Sequence, residues 1–122
     1  MKEANQRISI VVPVYLGAET PAPLAERLVA VFDGSNNDLE ILMVNDGSTD
    51  DSWRVIRELA GRFPQVRGLN LMRNFGQHNA LLAGIRSATG DFIVTMDDDL
   101  QNPPEEVPKL LDKLAEGHDV VY

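Results

Sequence analysis

The stretch ISIVVPVYLG, Ile8–Gly17, decides the fold. A near-continuous apolar, β-branched run is what a parallel strand buried on both faces carries. Similar units recur along the chain. A loop with Gly17, Pro21 and Pro23 leads into Leu24, Leu28, Val31 and Phe32 at helical spacing, and Asp33-Gly34-Ser35-Asn36-Asn37 closes that helix as a turn. LEILMV, Leu39–Val44, is a second strand, followed by the turn Asn45–Ser48 and a capping-box spacing from Ser48 to Asp51. Trp53, Ile56, Leu59, Ala60 and Phe63 form the apolar stripe of a second helix that Pro64 stops. VRGLNLM, Val66–Met72, is a third strand, at an edge. After the RNFGQ loop, His78–Ala88 is a third helix with Leu81, Leu82 and Ile85 turned inward and Gly90 ending it. DFIVTM, Asp91–Met96, is the fourth strand. Pro104 opens a fourth helix with Val107, Leu110, Leu111 and Leu114 on its core face, and Asp119–Tyr122 begins a fifth strand. Alternating β and α elements predict an α/β domain, a mostly parallel sheet with helices on both faces. A domain rarely ends on VVY without a closing element, so the chain is expected to be the first part of a longer domain.

Residues 1–122 have the size of one domain. Nothing in the chain reads as a repeat, linker or low-complexity tract. The absence of cysteine removes disulfide frameworks and thiolate metal sites, and fits a reducing, cytoplasmic setting. A net charge of −8 argues against nucleic acid and against an anionic membrane surface as non-specific partners. No apolar run approaches the roughly 20 residues of a spanning helix, and the N-terminal run is too short for a signal peptide.

In doubly wound sheets, ligands bind beyond the carboxyl ends of strands where strand order reverses. The polar clusters fall at those ends: Tyr15–Glu19, Asn45–Ser48, Arg73–Gly76 and Asp97–Gln101. The last is TMDDDLQNPPEE, an apolar strand running into three aspartates with no nearby base. In extended backbone Asp97, Asp99 and Gln101 share a face and Asp98 points away. Two such carboxylates about 7 Å apart repel by roughly 2–3 kcal/mol at an effective dielectric of 20. A hard divalent cation, Mg²⁺ or Mn²⁺, turns that repulsion into coordination by oxygen. A bare D-x-D is more often a solvated loop with helix-capping groups. Its position at the ligand rim is what favours the cation.

Taken together, VVPVY, VNDGSTDDS, LMRNFGQHNALLAGIRSATGDFI and TMDDDLQNPPEE resemble family 2 glycosyltransferases of the GT-A fold. Within that family they look most like the branch that moves sugars to polyprenyl phosphates, as dolichyl-phosphate mannose synthases do. The likeness runs from Ile8 to Tyr122; the joint occurrence and order of the motifs are specific, and no single motif is. The resemblance implies a D-x-D-x-Q metal site in Asp97, Asp99 and Gln101, with Asp98 beside the donor ribose and diphosphate. It implies base contacts for Asp46, a pocket wall in Val44, packing on the base by Pro13 and Tyr15, and a nucleotide-side loop in Arg73, Asn74 and Gly76. The chain departs from the family where Leu16-Gly17 replaces the usual N-E, which leaves Glu19 as the acidic candidate, and where Asn45 replaces a common aspartate.

Each group also has a plainer reading. Asp46-Gly47 is by itself a turn, with Ser48 or Thr49 as a cap, and Tyr15 is either a half-buried aromatic or a base-stacking one. His78 reads as a helix-start residue and is assigned no catalysis. A receiver domain needs acids after its first strand, and a dinucleotide-binding domain needs G-x-G-x-x-G there; Pro13-Val14-Tyr15-Leu16-Gly17 is neither. The resemblance implies inverting sugar transfer from a nucleotide-diphosphate sugar, UDP favoured over GDP, to polyprenyl phosphate at the cytoplasmic face of a membrane. This chain is expected to bind donor without turnover, with its catalytic residue elsewhere and its final strand open to edge-to-edge homodimerisation. The alternative is a non-catalytic nucleotide- or metal-binding fragment.

Overall fold

The computed structural model describes residues 6–33, 38–97 and Val107. Seven elements alternate along the chain: β1 (Arg7–Val14), α1 (Pro21–Phe32), β2 (Asp38–Asn45), α2 (Ser52–Arg62), β3 (Val66–Asn70), α3 (Gln77–Ser87) and β4 (Phe92–Thr95). The first four expected strands and the first three helices are present, and α1 starts at Pro21, taking in both prolines that the sequence assigned to the preceding loop. Val107 is helical and buried, as the fourth-helix reading requires, while the rest of that helix and the fifth strand fall outside the described residues.

The strands form one sheet in the order β3-β2-β1-β4. β1 pairs parallel with β2 from Arg7↔Asp38 to Val14↔Asn45, and with β4 from Ile8↔Phe92 to Val11↔Thr95. β1 is therefore covered on both edges and both faces, as its composition demands. Ile8, Ile10, Val12 and Val14 point into the larger core with Leu24, Leu28, Ile56 and Leu59 of α1 and α2. Val11 faces the other way, with Leu42, Val44 and Ala80, under α3. Helices thus lie on both faces, as predicted.

The packing of α3 differs from the sequence expectation. Ala80 and Gly84 are its buried residues, and Leu81 is partly buried beside them. Leu82 and Ile85, expected inward, are each 38% exposed. A β-carbon on Gly84 would lie 2.4 Å from Val11 Cγ1, so the helix rides directly on the strand and small residues form the contact. The capping-box reading of Ser48 and Asp51 is also corrected. Asp50 opens α2 instead, its Oδ1 accepting from the Ser52 amide at 3.0 Å and from the Ser52 hydroxyl. Ser48 Oγ accepts from the Leu16 amide at 2.9 Å and ties the first loop to the second.

At the amino ends of the strands one charged residue breaks the apolar run of β2. Glu40 is fully buried. Ser9 Oγ of β1 donates to it at 2.7 Å and the Thr89 amide at 3.0 Å, and the guanidiniums of Arg7 and Arg67 complete the set. Burial alone would push this carboxyl up. The Thr89 amide, the Ser9 hydroxyl and the Arg67 and Arg7 guanidiniums outweigh that and lower it from 4.5 to about 2. One carboxylate thereby joins β1, β2, β3 and the loop entering β4.

Among the described residues, no helix is long and apolar enough to cross a membrane. The Glu40 cluster yields a stability test. A carboxyl lowered on folding from 4.5 to about 2 contributes about 3 kcal/mol at neutral pH. That contribution is present above pH 4.5 and is lost as the pH falls toward 2. Urea unfolding is expected to show this loss in the native protein, whereas Glu40→Gln should be weaker by about 3 kcal/mol at pH 7 and lose less on acidification.

Candidate functional site

The order β3-β2-β1-β4 reverses direction at β1, so the connections leaving β1 and the strand beside it diverge. A cleft is the expected result beyond the carboxyl ends of β1 and β4. An open cleft of about 420 Å³ lies there, lined by Pro13, Val14, Tyr15, Asp46, Asn74, Gly76, Gln77 and Asp97. Four separate loops meet in it, as the polar clusters suggested.

Of the residues singled out in the sequence, Pro13, Tyr15, Asp46, Asn74, Gly76 and Asp97 are brought together in this cleft. Val44 is fully buried in the contact between α3 and the sheet, not on the cleft wall. Glu19 is exposed and is not among the lining residues. Arg73 also lies outside the lining, its guanidinium carbon 4.9 Å from the ring centre of Phe75. Asp98, Asp99 and Gln101 lie outside the described residues. Gln77 lines the cleft although sequence reading passed over it as part of a loop.

Asp46 organises one rim of the cleft. It is only 3% exposed. Its Oδ1 accepts from the Phe75 amide at 2.8 Å and its Oδ2 from the Gly76 amide at 3.1 Å. These amides precede α3, whose own N-cap residue is Gly76 and supplies no side chain. Asp46 therefore caps α3 from another loop, in the favourable electrostatic sense for a helix N-terminus. The adjacent Gly47 allows the approach. It has φ +70°, and a β-carbon there would sit 2.2 Å from Arg73 C and Asn74 N. Asn45, one residue earlier, donates from Nδ2 to Asn70 Oδ1 at 2.8 Å and fastens the end of β2 to β3.

On the first loop Leu16 has φ +53° and is 51% exposed. Left-handed backbone is disfavoured for leucine by about 1–2 kcal/mol and is tolerated by asparagine. The departure from N-E at this position therefore leaves strain at the cleft mouth, held by the Ser48 bond.

Asp97 lies two residues beyond the end of β4. Its Oδ1 accepts from Gln77 Nε2 at 3.0 Å. Among the described residues no ion pair involves Asp97, and no group of three acidic, histidine or cysteine side chains is gathered to hold a metal. Asp97 thus offers one anionic oxygen donor of the hard type that Mg²⁺ or Mn²⁺ takes.

Residues 9–122 match the profile of Glycosyl transferase family 2. The chain belongs to that family. It is 46% identical over 120 residues to a protein of Enterobacter sp. (strain 638) named undecaprenyl-phosphate 4-deoxy-4-formamido-L-arabinose transferase, covering 98% of this chain and 37% of that protein. The chain thus spans just over a third of the length of that curated relative. Among solved structures, the Pyrobaculum calidifontis mannosyltransferase PcManGT with GDP-Man and Mn²⁺ superimposes with a TM-score of 0.64 at 24% identity, over 84% of this chain and 30% of that one. S. aureus TarS with UDP-GlcNAc gives 0.69 at 20% identity, over 92% and 32%. These two likenesses establish the shared, GT-A-like fold. In a family 2 chain, the rim of four loops is the natural place to look for its ligands.

Two substitutions test this geometry. Asp46→Asn turns an amide NH₂ toward backbone N–H donors and is expected to cost about 2 kcal/mol in chemical denaturation. Leu16→Asn should raise stability by about 1 kcal/mol through relief of the left-handed backbone, read as a higher urea midpoint at unchanged m.

Proposed function

We propose that this chain is the donor-binding part of an inverting glycosyltransferase that moves a sugar from a nucleotide-diphosphate sugar to polyprenyl phosphate. The observation that carries the reading is the cleft itself, which sets Tyr15 and Asp46 and the carboxylate of Asp97 around one opening at the strand-order reversal. The Tyr15 ring suits a nucleobase, Asp46 holds the loop beside it, and the Asp97 carboxylate suits a cation shared with a diphosphate. The name of the Enterobacter relative supports a polyprenyl phosphate acceptor. UDP is favoured as the donor nucleotide, and a lipid acceptor implies work at the cytoplasmic face of a membrane.

Asp97, with Asp99 and Gln101 after it, would hold Mg²⁺ or Mn²⁺. When bound, the cation supplies Lewis-acid stabilisation of charge on the leaving diphosphate. The chain's own groups bind and orient: Pro13 and Tyr15 pack on the base, and Asp46 fixes the loop that carries Arg73 and Asn74. Arg73, stacked on Phe75 in the same loop as Asn74 and Gly76, would supply positive charge for a diphosphate in an acidic protein. A lipid phosphate acceptor arrives as an anion, so it requires positioning and charge neutralisation more than a strong base.

Calorimetric titration of UDP and GDP, with and without Mn²⁺, checks this. UDP is expected to bind more tightly than GDP, weakly without Mn²⁺ and at least tenfold more tightly with it, and Asp97→Asn is expected to remove that gain, the order seen when a metal site is disturbed. Equal UDP binding without Mn²⁺, or in Asp97→Asn, contradicts the cation-bridged reading.

A further inference from the structure

Gln77 is the cleft residue that the reading above leaves without a task. It is the first residue of α3, so its backbone is set by the clamp that Asp46 places on the adjoining Gly76 amide. Asn79 Nδ2 also donates to the Phe75 carbonyl at 2.8 Å, and the Ala80 amide to the Gly76 carbonyl at 3.0 Å. The start of this helix is therefore fastened on both sides of Gln77. From it the Gln77 side chain spans to the end of β4, where Nε2 lies 3.0 Å from Asp97 Oδ1. Two elements far apart in sequence meet across the cleft through this one bond.

The chemistry of the donor matters. A lysine or arginine here would orient Asp97 equally well but would neutralise it and repel a cation. A neutral amide fixes one carboxylate oxygen and leaves the full negative charge in place. Among the described residues Oδ1 of Asp97 is thus occupied and Oδ2 accepts no hydrogen bond. Hydrogen-bond partners of ligating carboxylates set ligand orientation, and their loss typically lowers metal affinity 10–100-fold.

We infer that Gln77 is a positioning residue for the cation site: it holds Asp97 Oδ1 so that Oδ2 is presented to a divalent cation. This rests on the donor-site reading proposed above. The test compares the native chain with Gln77→Met, which keeps the length and removes the donor, and Gln77→Lys, which keeps a donor and adds positive charge. Free Mn²⁺ is followed by electron paramagnetic resonance during titration in the presence of UDP, alongside melting temperature and Mn²⁺-free UDP affinity.

Gln77→Met is expected to weaken Mn²⁺ binding about tenfold. Gln77→Lys should weaken it at least as much. Melting temperature and Mn²⁺-free UDP affinity should be unchanged in both. Native Mn²⁺ affinity in Gln77→Met overturns the inference and leaves the donor-site reading standing. A loss of metal affinity matched by an equal loss of Mn²⁺-free UDP affinity, or by a fall in melting temperature, assigns Gln77 a purely structural role and also overturns it. No Mn²⁺ uptake by the native chain overturns the cation reading and this inference together.

Discussion

The parallel pairing of β1 on both its edges is the constraint on which the rest depends. With β2 on one side and β4 on the other, the chain must leave β1 in one direction and later return on the opposite side. Parallel strands need long crossover connections, and those crossovers carry the helices that cover the two faces. The same reversal leaves a gap at the carboxyl end of β1, because the loops that follow neighbouring strands diverge there. The cleft follows from the strand order.

The two ends of the sheet are stabilised by opposite means and serve opposite purposes. At the amino ends, Glu40 of β2 is surrounded by donors from the two neighbouring strands and a loop, and its charge is fully used. At the carboxyl ends, Asp46 is spent on backbone amides, while Asp97 has a single neutral partner. A buried carboxylate with several donors is a structural fastener, and an exposed one with a single neutral partner keeps its charge available, as the proposed cation site requires. Residue type alone does not separate them; their partners do.

The alternation of elements was readable because β1 and β2 are buried on both faces and therefore carry long apolar runs rich in isoleucine, valine and leucine. The cleft residues Pro13, Tyr15, Asp46, Asn74, Gly76 and Asp97 were readable because they stand at strand ends in a recognisable order. Periodicity misplaced Leu82 and Ile85, since it counts large apolar residues, and α3 makes its contact through Ala80 and Gly84. Glu40 gave only the signal of a lone charge inside an apolar run, with its partners scattered from Ser9 to Thr89. Gln77 gave none, because its role lies in a bond to Asp97 across the cleft. Val44 was assigned to the wall by likeness to relatives, yet strand alternation turns it under α3.

The central claim is that the carboxyl end of the sheet, and not its acidic amino end, takes the cation. Paramagnetic broadening by substoichiometric Mn²⁺ in the amide spectrum of the labelled chain, with UDP present, tests it most directly. The account predicts that the signals of Gly76, Gln77 and Asp97 broaden first while those of Ser9, Glu40 and Thr89 stay sharp. Broadening centred on Asp38 and Glu40, or spread evenly over the acidic surface, contradicts it.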